Sequence, residues 1–426
     1  MMTLFVIVAI MLLALSGAPL FAVILASSMM GFYFSGIDLS VIAIEMYRLT
    51  DTPLLVALPL FTFAGYLLSE GKSSQRLLNI TDQWLHWMPG GLAVVALFSS
   101  AIFTAFTGAS GVTIVALGAL LYPALLKGGY DEKFSLGLVT TSGSLGLLFA
   151  PSLPLILYGI ITQQVEVGER FTMEQLFIAG ILPGLLMVIA LSVFSYWKNK
   201  DIVQDKASFG WVKAKQALWD AKWEIPLPVF ILLGIYGGVV TLTEIAAITA
   251  LYVLIMEVFI HKEIKYHQVV KVITDSMTMT GSILLILGVS LALTNLLVDA
   301  EIPSKLFEII QTNIHSKYTF LFLLNMLLLL LGAILDIFAA LVIVVPIILP
   351  LAVGFGIHPI HLGIIFLANM QIGYLTPPIG MNLFIASYRF GQPITKIYKD
   401  TLPFMLILLI VLALITYIPE LSLGFL

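Results

Sequence analysis

Apolar residues in this chain come in long unbroken blocks separated by short polar punctuation, the pattern of membrane-crossing helices. A bilayer core about 30 Å thick takes about 20 apolar residues per spanning helix. Spans are expected over about 2–18, 19–35, 52–70, 134–162, 172–197, 225–241, 242–261, 274–298, 358–388 and 400–418. Two further apolar stretches, 90–127 and 317–355, are interrupted near the middle, by Thr107-Gly108-Ala109-Ser110-Gly111 and by Leu335-Asp336-Ile337. Each is either two complete spans or a re-entrant hairpin that enters and leaves on one side. Irregular backbone at membrane depth is tolerated only inside protein or along a wet cavity. The hairpin reading therefore puts both tips at a binding site.

The second half repeats the first. Shifted back by 227 positions, Pro350, Gly356, Gly373 and Pro378 fall on Pro123, Gly129, Gly146 and Pro151. Matched Gly and Pro breaks in the apolar segments of two halves point to a transporter's binding site. Two amphipathic segments, Lys72 to Trp87 and Ile302 to Ser316, also match, at an offset of 229, with Arg76 on Lys305 and Leu77 on Leu306. Their mixed charge on one face and apolar residues on the other suit helices lying along the membrane interface.

Composition agrees. Of 426 residues, 60% are hydrophobic and only 10% charged, and the mean hydropathy is +1.08; soluble domains carry about 25% charged residues. Continuous apolar runs such as Tyr318 to Leu335 exclude a β-barrel, whose apolar residues alternate. The absence of cysteine excludes disulfides, thiol catalysis and Cys-ligated metals. Met1 to Leu25 lacks the basic start of a signal peptide and is expected as a retained first helix.

With an outside N-terminus, ten spans and two same-side hairpins, 16 of the 20 basic residues fall inside, as the positive-inside rule requires. Arg48, Arg170, Lys305 and Lys317 fall outside. The same sides result if each interrupted stretch spans twice. Five spans per half make the repeat inverted. The expected fold is an all-α polytopic membrane protein with two inverted repeats, 1–197 and 225–426, joined by a basic cytoplasmic linker, 198–224, anchored by Trp211, Trp219 and Trp223. The first hairpin, about 90–127, faces the cytoplasm and precedes a broken helix of about 134–162. In the second repeat an arm helix, about 302–316, precedes a periplasm-facing hairpin, about 317–355, and a broken helix, about 358–388. Acidic residues dilute the linker's charge, which argues against nucleic-acid binding.

The first broken span holds Ser144, Gly146, Leu148 and Pro151. Pro151 donates no backbone hydrogen bond and disfavours helix before it, so carbonyls around Gly146 to Leu148 lose their usual partners. Thr107 and Ser110 on the facing tip add hydroxyls. Hard oxygen ligands without a nearby fixed cation suit Na⁺; a packed kink, with Ser and Thr bonding back to the helix, is the alternative. The second broken span holds Asn369, Gly373, Leu375, Thr376 and Pro378, followed by Asn382. Its facing tip holds Asp336, the only acid between Glu308 and Asp400. An ionisable residue inside the membrane marks a functional site, here as sodium ligand, proton carrier or helix cap. His358 and His361 lie at a helix start, not in a deep cluster, so no metal site beyond sodium is expected. There is no Ser/His/Asp set, phosphate loop or HExxH pattern, which points away from an enzyme and from bound cofactors.

Gly143 to Ser152 with Tyr158-Gly159 resembles a signature of the large membrane (M) subunit of tripartite ATP-independent periplasmic (TRAP) transporters. So does the run from Leu335-Asp336 through Pro346, Pro350 and Gly356 to Ile365, to Thr376-Pro377-Pro378-Ile379-Gly380. The resemblance covers essentially the whole chain; Ala150 stands where the family often has proline, and the first tip is less serine-rich than usual. It implies a sodium-driven importer of organic acids, such as C4-dicarboxylates or sialic acid, in the bacterial inner membrane. It also implies an elevator mechanism, a small four-helix Q subunit and a soluble periplasmic binding protein that delivers the substrate. No Q segment is evident here, so Q is expected as a separate chain. Carried over by motif, one sodium site uses Thr107, Ser110, Gly146, Leu148 and Pro151, and the other Gly332, Asp336, Gly373, Leu375, Thr376 and Pro378. Ser144, Asn369 and Asn382 are the expected substrate contacts. The rival readings are a stand-alone sodium–carboxylate carrier of related architecture and a proton-translocating respiratory subunit. The latter needs a chain of buried Lys, Glu and His that is absent here.

Overall fold

The structure is a computed structural model that describes residues 10–14, 16–85, 90–165, 167–200, 210–237 and 240–426. Most of the span expected over 2–18, residues 201–209 of the linker, and Trp87 and Glu166 lie outside the described residues. Among the described residues, eight helices are long and apolar enough to cross a bilayer.

Numbered from Leu20, α1 (Leu20–Ser35) ends at Gly36, whose positive φ of 69° lets its N–H return to the last turn. Helix α2 (Ser40–Arg48) fills a region where no helix is expected from hydropathy. It is too short to register as a span, and the Asp38 carboxylate starts it by accepting the Ser40 N–H at 2.7 Å. Helix α3 (Ala57–Glu70) leads to the first arm, α4 (Ser73–Leu85).

The first hairpin is α5 (Gly91–Thr107), a break at Gly108–Ala109, and α6 (Ser110–Ala116), which bends by 48° into α7 (Gly118–Lys127). The first broken span follows as α8 (Glu132–Ser142), a 3₁₀ turn at Leu145–Leu148, and α9 (Leu153–Val165). Helix α10 (Met173–Lys198) starts at a capping box in which Thr172 and Gln175 bond each other's backbone. Helix α11 (Trp211–Asp220) lies in the linker, and its Trp211 meets Trp84 of α4 edge-on at 6.2 Å.

The second half comprises α12 (Pro226–Gly237), α13 (Leu242–Leu254), a π-turn at Ile255–Ile260, and α14 (Tyr266–Asp299). Helix α14 begins eight residues before its apolar block, because the Gln268 side chain caps the Lys265 N–H at 2.9 Å. The second arm is α15 (Ile302–Asn313), and the second hairpin is α16 (Lys317–Ile334) and α17 (Ile337–Gly354). The second broken span is α18 (Pro359–Gly373) and α19 (Met381–Phe390), followed by α20 (Ile394–Tyr417) and α21 (Glu420–Leu423).

The halves interlock. The outgoing arm of each hairpin packs on the far half of the other repeat's broken span, α6 on α19 and α17 on α9. Helices α1, α2, α3 and α13 gather with α14 into a second layer, and α3 and α14 reach across to the hairpins. The breaks therefore face each other deep in the bundle, where helix ends need partners other than water.

Candidate functional site

Between the two hairpin tips lies a cavity of about 420 Å³. Gly108 to Val112 form one wall and Asp336 to Phe338 another, with Leu147 and Tyr374 contributed by the two breaks. The remaining wall is Tyr66 of α3, Met279, Ser282, Ile283 and Ile286 of α14, and Met381 and Ile385 of α19. Among the described residues, no Lys or Arg lines it.

At the first tip, Thr107 Oγ1 and Ser110 Oγ are buried without a hydrogen-bond partner among the described residues. A buried hydroxyl left unmatched is costly, so both atoms are suited to an ion or water. The backbone groups assigned to the same site are more dispersed. The Gly146 carbonyl accepts the Phe149 N–H at 3.1 Å. The Leu148 carbonyl abuts α10, so close that a Cβ on Gly180 would lie 2.1 Å from its oxygen. Pro151, after a cis peptide bond, lines a separate apolar pocket with residues of α5, α10 and α12.

The second tip is tied more fully. Asp336 caps α17, its Oδ2 accepting the Phe338 N–H at 3.0 Å, while the residue is exposed to the cavity. Tyr374 Oη donates to Asp336 Oδ1 at 3.3 Å and accepts the Ile337 N–H at 2.7 Å. A smaller cavity of about 200 Å³ adjoins Asp336 and is lined by Gly332. Gly332 and Gly373 meet backbone to backbone: a Cβ on Gly373 would lie 2.6 Å from the Gly332 Cα. Leu375 is buried, the Thr376 hydroxyl donates back to Ile372 at 3.0 Å, and the Pro378 carbonyl accepts from Tyr398 Oη at 2.6 Å.

The three expected substrate contacts lie in the protein interior, off the cavity wall. Ser144 Oγ donates to the Gln371 carbonyl at 3.3 Å, across positions that match at the 227-residue offset. Asn369 Nδ2 donates to Asn325 Oδ1 at 2.6 Å, and Asn325 in turn to Thr416 at 3.1 Å. Asn382 Nδ2 is 3.5 Å from the Thr140 carbonyl. Each side chain is fully buried because it joins broken spans or hairpin arms to each other. Hydropathy reading missed the wall from α3 and α14. It also missed Tyr374, although a phenol inside a Gly-Tyr-Leu-Thr-Pro-Pro break was a signal in the sequence.

A second polar cluster lies at the first arm. Arg76 Nη1 donates to Glu263 at 2.6 Å, Nε bonds Glu224, and Nη2 is 3.7 Å from Glu257. The Ser73 hydroxyl contacts both Glu224 and Glu257. Burial works against the charged form of Glu263, but hydrogen bonds from Arg76 and the Lys72 N–H outweigh it and hold its carboxyl below the usual range. Lys305, matched to Arg76 in the sequence, bonds the Ala300 carbonyl at 2.9 Å and has no ion pair among the described residues.

Broken helices and hairpin tips enclosing a cavity against a long apolar helix define a multi-pass, all-α membrane transport protein. The chain belongs to the DctM component of the tripartite ATP-independent periplasmic transporters, whose family model matches residues 4–421. It is 32% identical to the C4-dicarboxylate TRAP transporter large permease protein DctM of Pseudomonas aeruginosa, over 92% of this chain and 90% of that one. The isethionate TRAP transporter permease protein DctMQ of Oleidesulfovibrio alaskensis is 34% identical over 87% of this chain, which spans 58% of that longer protein. In fold, the chain is similar to the YdaH transporter of Alcanivorax borkumensis, with a TM-score of 0.63, 15% identity, and coverage of 87% and 86% of the two chains. It is thus a large permease of the inner membrane.

Proposed function

We propose that this permease couples Na⁺ entry to the import of a small organic acid, handed over by a periplasmic binding protein, through an elevator movement of the hairpins and broken spans. The observation that carries the reading is the cavity itself: oxygen-rich tips and, among the described residues, no fixed cation in the lining and no partner for two buried hydroxyls at the first tip. An organic anion there has no Lys or Arg to offset its charge, and bound Na⁺ beside the tips supplies it. The apolar face of α14, with Met279, Ile283 and Ile286, offers a wall along which such a body slides once the bond from the Ser290 hydroxyl to the Val342 carbonyl of α17, 2.8 Å long, is released. Relatives named for C4-dicarboxylate and isethionate transport support a small organic acid. A small Q subunit as a separate chain completes the proposed complex.

Uptake into proteoliposomes holding the complex and its binding protein should collapse when K⁺ or choline replaces Na⁺. Uptake that persists without Na⁺ and follows a pH gradient would sink the sodium coupling. Full activity of this chain without its partners would favour a stand-alone carrier.

A further inference from the structure

We propose that Tyr374 is the positioning residue of the second tip: its hydroxyl aims the Asp336 carboxylate at the cavity and latches the hairpin tip to the broken span. A phenol has one proton to give and accepts in return. Tyr374 gives to Asp336 Oδ1 at 3.3 Å and accepts from Ile337 N–H at 2.7 Å. With Phe338 N–H on Asp336 Oδ2, the first two amides of α17 and both carboxylate oxygens are engaged. Tyr374 is 1% exposed, so water offers its hydroxyl no ready substitute.

The first tip is built differently. The residue 227 positions before Tyr374 is Leu147, which lines the same cavity but has no hydroxyl. That tip is joined to its broken span through Thr104, whose Oγ1 is 2.9 Å from the Gly143 carbonyl and 2.8 Å from Thr113 Oγ1. Of these two latches, the second contains an ionisable group and the Thr104 latch does not. A cation arriving there meets a carboxyl group whose oxygens are already oriented. This last step rests on the sodium-coupled reading above; the latch itself does not.

The chain has no cysteine, so Leu335→Cys places a single reporter thiol at the tip. Its modification by a small methanethiosulfonate is followed in the reconstituted complex, in K⁺ with and without Na⁺. Tyr374→Phe keeps the ring and removes the latch, and should speed modification about tenfold. Asp336→Asn, which keeps the cap, should act in the same direction. Because the contact that Asp336→Asn weakens is already lost with the Tyr374 hydroxyl, Asp336→Asn should add less than about twofold in the Tyr374→Phe background. Unchanged rates for Tyr374→Phe, or full additivity of the two changes, would overturn the latch. In the parent, Na⁺ should slow modification. If Na⁺ has no effect while Tyr374→Phe still accelerates it, the latch stands and the sodium reading falls.

Discussion

Gly146→Val should abolish uptake and lower the unfolding temperature of the detergent-solubilised permease sharply. A Cβ at this position would lie 2.3 Å from the Ala101 carbonyl oxygen and 2.4 Å from the Ala105 amide nitrogen, both on α5. Neither atom belongs to a side chain that can rotate away, so α5 and the 3₁₀ turn must separate. Overpacking of this kind costs about 1–3 kcal/mol, and more where backbone is the obstacle. The separation also moves the Thr107 hydroxyl, at the end of α5, relative to the break. Gly281→Ala is the control. Nothing lies within 4 Å of its added Cβ, and alanine is the better helix former, so stability should hold or rise. If Gly146→Val unfolds and transports like the parent, close approach of α5 to the break is not what that glycine provides.

Gly146 was legible as a match to Gly373 before any coordinate, and the reason is steric. Both positions sit where a break touches the backbone of a hairpin arm, Gly146 on Ala101 and Ala105, Gly373 on Gly332. Hairpins, broken spans and arm helices were readable for the same cause: Gly, Pro and polar residues interrupt apolar blocks where helices end. What could not be read was partnership between distant segments. Asn369 looked like a substrate contact because nothing in its neighbourhood reveals Asn325, 44 positions away and 2.6 Å distant. The cavity wall from Tyr66 and Met279 belongs to helices whose hydropathy is that of any span. Arg76 read as one charge on an amphipathic face, since its partners lie at Glu224, Glu257 and Glu263. Pattern reveals local breaks; it does not say which distant polar group answers which.

Arg76→Leu should destabilise the permease by about 3–5 kcal/mol, the usual result of removing one partner from a buried ion group. The Arg76 side chain is 13% exposed, while those of Glu224 and Glu257 are 2% and 0% exposed. One guanidinium thus serves three carboxylates, joining α4 to the linker and to the end of α13. Arg76→Lys should fall between, because an ammonium cannot reproduce the fork of donors. For Glu263 the pH dependence has a definite sign. Glu263 is held below the usual carboxylate range, so its contribution to the parent is complete above its unfolded value of about 4.3 and fades as pH falls through the lower folded one. In Arg76→Leu, acidification instead protonates carboxylates that have lost their cation. The stability gap between parent and variant should therefore narrow as pH is lowered from about 8 towards about 5, a window above the unfolded carboxylate value in which Glu263 of the parent keeps its full contribution. Thermal unfolding of both proteins across that range is the measurement. A gap that stays constant would mean the first arm is held by its apolar contacts with α5 and α11, with the charges contributing nothing.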